Sequence, residues 1–109
     1  MSSMPSVTFT PEDISAGHMY TFHHDGGHGW LEVNRADLVA LHIADKITSY
    51  SYQKGDKVFL EEDCDMAEFL YAYDERFGFG GLIAPHNLAN YVYDGDDSPI
   101  RGYASYQPS

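Results

Sequence analysis

Basic residues are scarce in this chain. Six Lys and Arg stand against 17 Asp and Glu over 109 residues, a formal net charge of −11. That balance excludes electrostatic attraction to nucleic acid or to anionic membranes, both of which depend on clustered cations. Cysteine is nearly absent. Cys64 stands alone, so no intrachain disulfide forms and nothing ties the chain to an oxidising compartment. No apolar run approaches the roughly 18–20 residues that a membrane-crossing helix needs. The opening Met1-Ser2-Ser3-Met4-Pro5 has neither the charged nor the apolar region of a signal peptide, so a cytoplasmic location is the expectation. No complete catalytic motif occurs, and the reading is of a protein that is not an enzyme.

What is present is apolar enough to fold. Hydrophobic residues make up 43% of the chain and aromatics 15%, which argues for one modest core and against a disordered acidic tail. A single domain over 1–109 is expected. The charge is uneven along it. Residues 56–109 hold eleven acids and three bases, about −8 of the total. This half should repel nucleic acid and attract basic protein surfaces.

Residues 1–17 read as a lead-in, with one helical turn started by Thr10-Pro11 and stopped at Gly17. Residues 18–24 read as a strand. Asp25-Gly26-Gly27 signals a tight turn on glycine's tolerance of positive φ, and His28–Val33 returns as the second strand of a hairpin. Asn34 with Asp37 forms a capping box ahead of a short helix over 35–42. The order then recurs. Ile47–Tyr52 alternates like a strand, Lys54-Gly55-Asp56 turns, and Lys57–Glu61 returns. Asp65 with Glu68 suggests a second capping box. Met66, Phe69, Leu70, Tyr73 and Phe77 then form one apolar helical stripe, ended by Gly78. The predicted fold is α+β: a two-layer sandwich built from a ββα–ββα pseudo-repeat over 18–77, with an antiparallel sheet of four or more strands and both helices on one face. Residues 78–109 read as an irregular tail. It holds a flexible Gly78–Gly81 stretch, a short helical turn followed by a strand over Asn87–Tyr93, a loop at Asp94–Pro99, an edge strand within Ile100–Tyr106 and a frayed end.

Four features bear on chemistry. His18, His23, His24 and His28 crowd the first hairpin. A turn centred on Asp25-Gly26 sets His23 opposite His28, close enough to share a divalent metal with Asp25 as third ligand; a turn centred on Gly26-Gly27 sets His23 opposite Trp30 instead and breaks that site. Contact with another ligand, and plain turn chemistry, stand beside the metal reading. Cys64, flanked by Glu62, Asp63 and Asp65, lacks the cationic neighbour that makes a thiolate and reads as inert. Asp94-Gly95-Asp96-Asp97-Ser98 opens like a calcium loop but places Pro99 where that loop needs glycine and Ser105 where it needs glutamate. Trp30 reads as a core residue.

The fourth feature is Leu60-Glu61-Glu62-Asp63-Cys64-Asp65, with four carboxylates in five positions at a strand-to-helix junction. Glu61, Glu62, Asp63, Asp65, Asp74 and Glu75, together with Tyr71, are the candidate contacts for a basic partner, because folded arrays of carboxylates resemble a phosphate backbone and tyrosine supplies contact area. The alternative is that these acids solvate a surface and cap a helix.

The stretches His24-Asp25-Gly26-Gly27-His28-Gly29-Trp30-Leu31-Glu32-Val33 and Phe59–Asp65 resemble small acidic proteins carried by bacteriophages and plasmids, over about residues 18–77. That group has no established activity, and the resemblance supplies no functional residue. It implies a context in which small acidic single-domain proteins inhibit host defence, as anti-CRISPR and anti-restriction proteins do. The expectation is therefore an interaction protein that occupies a basic surface of a nucleic-acid-processing host enzyme, such as a CRISPR effector. It would use no cofactor and touch neither nucleic acid nor membrane. A metal-binding module or metal-dependent enzyme centred on His23, His24, Asp25 and His28 is the first alternative. A structural or assembly component of a phage is the second, and homodimerisation through a tyrosine-rich strand edge stays open.

Overall fold

A computed structural model describes residues 19–78 and 88–108. The lead-in with its helical turn, His18 and the stretch Phe79–Gly81 lie outside the described residues. The elements run β1 (Tyr20–His24), β2 (Gly29–Asn34), α1 (Arg35–Ala40), β3 (Tyr52–Lys54), β4 (Lys57–Glu61), α2 (Met66–Phe77), β5 (Ala89–Tyr93), a 3-10 turn (Pro99–Gly102) and β6 (Ala104–Ser105). The fold is α+β, with six strands in one sheet in the order β5-β1-β2-β4-β3-β6. No helix among the described residues is long and apolar enough to cross a membrane.

The sheet is mixed, not wholly antiparallel. β5 runs parallel to β1, with Tyr20 opposite Ala89 and His24 opposite Tyr93. The cause is the helix before it: a helical crossover returns the chain to the end it left, so the strand after α2 runs in the direction of β4. The other neighbouring pairs are antiparallel.

Period-two alternation sorts the strand residues onto two faces. Tyr20, Phe22, Leu31, Val33, Val58 and Leu60 share one buried cluster with Leu38 of α1 and with Phe69 and Tyr73 of α2. The α2 stripe forms as the spacing predicts. The Tyr20 ring meets Phe69 and Tyr73 edge-on, with centroids 5.4 and 6.4 Å away, a favoured aromatic geometry. Gly78 takes φ 73° and donates its N–H to the Asp74 carbonyl at 2.7 Å, ending the helix. On the opposite face Trp30, Phe59 and Ile100 form a second cluster, flanked by Tyr52 and Tyr103. Trp30 is buried, as expected, and the C-terminal segment supplies its cover.

Several boundaries differ from the sequence reading. The strand expected over Ile47–Tyr52 is confined to Tyr52–Lys54, because Thr48 and Ser51 turn their polar groups toward Asp65. Helix α1 stops at Ala40, and His42 adopts φ 61° with no glycine to announce it. The Asn34/Asp37 box does form, with Asp37 accepting the Asn34 N–H at 3.0 Å. Within Ile100–Tyr106 only Ala104–Ser105 is strand, since Pro99 and the Ser98 hydroxyl start a 3-10 turn first. Gln107 is not frayed: its N–H reaches Gln53 at 2.8 Å and its carbonyl accepts from Arg35 at 2.9 Å.

Gly29 is required by contact. A methyl group there would lie 2.3 Å from the Phe22 ring and 2.9 Å from the Glu62 carboxylate. Gly29→Ala is expected to destabilise the fold by about 1–3 kcal/mol. Urea unfolding followed by tryptophan fluorescence checks this, and an unchanged midpoint would contradict the packing described.

Candidate functional site

The hairpin tip is organised by Asp25. Its side chain is fully buried. One carboxylate oxygen accepts the N–H groups of Gly27 and His28, each at 2.9 Å, and the other accepts Ser98 N–H at 2.8 Å. Arg101 donates to both, at 2.6 and 2.9 Å. The Arg101 guanidinium holds this carboxyl well below the usual carboxylate range, against the opposing effect of desolvation, and the three backbone N–H groups add to the effect. Neither Gly26 nor Gly27 uses positive φ, contrary to the turn reading. Gly27 instead leaves room for Arg101, 3.1 Å from where a β-carbon would sit.

This turn sets the register, with His23 opposite Trp30 and His24 opposite Gly29. His23 and His28 therefore do not face one another, and Asp25 is committed to Arg101, so the His23–His28–Asp25 grouping does not assemble. The described hairpin histidines go three ways. His23 pairs with Glu32 at 2.7 Å and lies 3.5 Å from Asp94. His24 sits among Phe22, Tyr91 and Tyr93. His28 reaches toward Glu61, with Nδ1 3.4 Å from Oε2. In the Asp94–Ser98 loop, the Asp94 carboxylate accepts the Ser98 hydroxyl at 2.7 Å, an internal bond and not a calcium-ligand arrangement.

The acidic junction also divides. Asp65 is buried and accepts Thr48 N–H at 3.1 Å, the Thr48 hydroxyl at 2.8 Å and the Ser51 hydroxyl at 2.6 Å. It makes no side-chain cap to α2, so the Asp65/Glu68 capping box is absent. The Ser51 hydroxyl in turn accepts the Glu61 N–H at 3.0 Å, and Glu61 Oε1 accepts the Asp63 N–H at 2.8 Å. Asp74 is buried as well. Of the expected contacts, Asp65 and Asp74 are thus withdrawn from the surface and Glu61 is largely covered. Asp63, Tyr71 and Glu75 are exposed, and Glu62 is partly so. Desolvation, then Asp63 and Glu61, push the Glu62 carboxyl up, against the pull of His28 and His24. Desolvation and the hydrogen-bonded Glu61 carboxylate likewise push the Cys64 thiol up, as expected for an inert cysteine.

Between hairpin tip and junction lies a cleft of about 370 Å³, lined by His28, Trp30, Tyr50, Tyr52, Glu61, Asp63, Cys64 and Arg101. Among the described residues, His28, Glu61 and Asp63 bring one ligand atom each within 4.8 Å of one another. Sequence reading flagged His28 and the acids separately. It missed that they converge, and it missed Arg101 and Tyr50 altogether. The usable signal was the Gly26-Gly27 register, which sends His23 to Trp30 and frees His28. No family model, curated protein or solved structure matches the chain.

Two predictions follow from the buried carboxylates. Asp65→Ala strands the donors of Thr48 and Ser51 and is expected to cost about 2–4 kcal/mol in urea unfolding; a loss near zero would mean that the buried node is not formed. Asp25→Asn is expected to lower the melting temperature at pH 7 by at least about 5 °C. Because the folded carboxyl is held low, its contribution is full above the unfolded pKa of about 3.9 and is lost as pH falls below it toward the folded value. The gap between wild type and variant should therefore close in melts below about pH 4, and a gap constant down to pH 2 would rule out this linkage.

Proposed function

We propose that this is an acidic interaction protein that binds a basic protein surface, and that the surface is the nucleic-acid-binding groove of a host defence enzyme such as a CRISPR effector. The observation that carries the reading is how the cations are used. Among the described Lys and Arg side chains, Arg101 is the one that pairs with carboxylates, at Asp25 and, at 3.9 Å, Asp97; the other carboxylate pairs are made by His23 and His28. Arg35 bonds Gln53 and Gln107 and lies over Tyr106. Lys57 bonds Asn34, Lys54 lies over Tyr103, and Arg76 reaches the Ala40 carbonyl and lies over Phe77. Glu62, Asp63, Glu68 and Glu75 have no Lys or Arg ion-pair partner among the described residues, and their crowding costs self-repulsion. Glu68, Tyr71 and Glu75 recur at i, i+3 and i+7 along α2, and Tyr71 is 75% exposed. Glu62 and Asp63 add two further carboxylates at the junction before α2.

Contact through Glu62, Asp63, Tyr71 and Glu75 fits a partner lined with Lys and Arg, whose association is steered by charge. A cytoplasmic site of action accompanies this reading. We also take the element order as a ββα–ββα pseudo-repeat and the shared core of the two helices as one side of a two-layer sandwich. The test is affinity capture from host lysate and DNA-binding competition against each captured nuclease, using wild type and Glu62→Lys/Asp63→Lys/Glu75→Lys. The triple variant should melt within a few degrees of wild type yet bind at least about tenfold more weakly. Wild-type affinity should fall by about the same factor between 50 and 200 mM salt. Full inhibition by the charge-reversed protein, or an affinity indifferent to salt, would rule out the proposal.

A further inference from the structure

We propose that His28, Glu61 and Asp63 form a binding site for a divalent transition-metal ion, with Zn2+ as the fitting chemistry and a coordination position open to the cleft. The site is built from the other side of the hairpin turn than the sequence suggested, and it stands whether or not the acidic surface binds a basic partner.

The first ground is spacing. A tetrahedral ion bonded at about 2.0–2.1 Å holds its ligand atoms about 3.3 Å apart. His28 Nδ1 and Glu61 Oε2 are 3.4 Å apart. The other histidine–glutamate pair on the sheet, His23 with Glu32, closes to 2.7 Å and is hydrogen-bonded. The His28 pair is not hydrogen-bonded, and its separation matches the ligand spacing of a tetrahedral ion. Asp63 completes the group within 4.8 Å. It is exposed on a turn, so its side chain is free of packing that would hold it away.

Orientation is the second ground. Glu61 Oε1 is occupied by the Asp63 N–H at 2.8 Å, while Oε2 is the oxygen facing His28. The Glu61 backbone is held in β4 and by Ser51, while its carboxylate is oriented by the backbone N–H of Asp63, a residue that also supplies a ligand. Cys64 lines the cleft but lies outside the three-residue group.

The third ground is the cleft itself. Trp30 lines it, is 2% exposed, and its indole N–H has no acceptor among the described residues. That N–H is itself sealed from solvent, so Trp30 gives the cleft an apolar wall and not a contact to the ion's water. Arg101 in the same wall does not repel a cation, because Asp25 neutralises it at 2.6 Å. One imidazole nitrogen with two carboxylates favours zinc-like ions over Ca2+ or Mg2+, which take all-oxygen shells of six or more ligands. Three protein ligands with a fourth position free is the pattern of sites that accept a ligand, as opposed to closed structural sites.

The experiment uses the full chain stripped with EDTA and titrated with Zn2+ in a calorimeter, with the histidine ring resonances followed by NMR. One Zn2+ per chain should bind, shift the His28 ring signals and leave those of His23 in place. At about 100-fold excess over Kd it should raise the melting temperature by about 10 °C. His28→Ala and Asp63→Asn, both at exposed positions and expected to fold, should each weaken binding at least about 100-fold. His23→Ala should bind as wild type. Absence of saturable binding, retained affinity in His28→Ala, loss of affinity in His23→Ala, or equal displacement of Zn2+ by millimolar Mg2+ would each overturn the assignment.

Discussion

The carboxylate of Asp65 is the constraint on which the junction depends. A buried carboxylate with no cation beside it among the described residues must be solvated by oriented dipoles, and here two hydroxyls and a backbone N–H do so. Those donors come from the turns after α1, so the requirement pins that loop to the start of α2. The chain of contacts does not stop there. Ser51, fixed by Asp65, accepts from Glu61, and Glu61 accepts from Asp63. The acids that face the cleft are therefore positioned by the acid that does not.

Asp25 does the matching work on the opposite wall, by a different means. It takes the one arginine that the fold commits to a carboxylate and joins the hairpin tip to the C-terminal segment, from Ser98 to Arg101. The same guanidinium lies 5.5 Å from the Trp30 ring centroid. That segment also delivers Ile100 onto Trp30 and Phe59, covering the face of the sheet that the helices leave alone. With Arg101 so used and Arg35, Lys54, Lys57 and Arg76 on carbonyls, amides and rings, these cations are not ion-paired with the surface acids, which outnumber them. Structural economy inside the protein and anionic excess outside it have the same origin.

Local patterns were legible where one face or one cap decides the outcome. The return strand at Lys57–Glu61, the five-residue stripe of α2, the glycine at 78 and the Asn34/Asp37 box all translate directly into structure. Non-local choices were not. Alternation tells which face a strand residue takes but not which strand lies beside it, so the parallel docking of β5 on β1 could not be read from Ala89–Tyr93. Asp65 three residues before Glu68 looks the same in sequence whether it caps the helix or is buried beneath the preceding loop; the donors that decide are 14 and 17 residues away. The hairpin histidines illustrate a sharper limit. Moving the turn by one residue exchanges the partner of His23 and decides which acids His28 can meet.

The junction and the outer face of α2 are electrically separable. A divalent ion at His28, Glu61 and Asp63 would add two positive charges where four carboxylates crowd, drawing Asp63 inward and relieving the repulsion that pushes the Glu62 carboxyl up. It would leave Glu68, Tyr71 and Glu75 as they are, since these lie on the helix surface and take no part in the cleft. Recognition of a basic surface along the helix and ion binding at the junction thus draw on different carboxylates, with Asp63 alone common to both. Coupling between the two would arise at Asp63 and at Glu62, whose carboxyl feels the charges of Asp63 and Glu61.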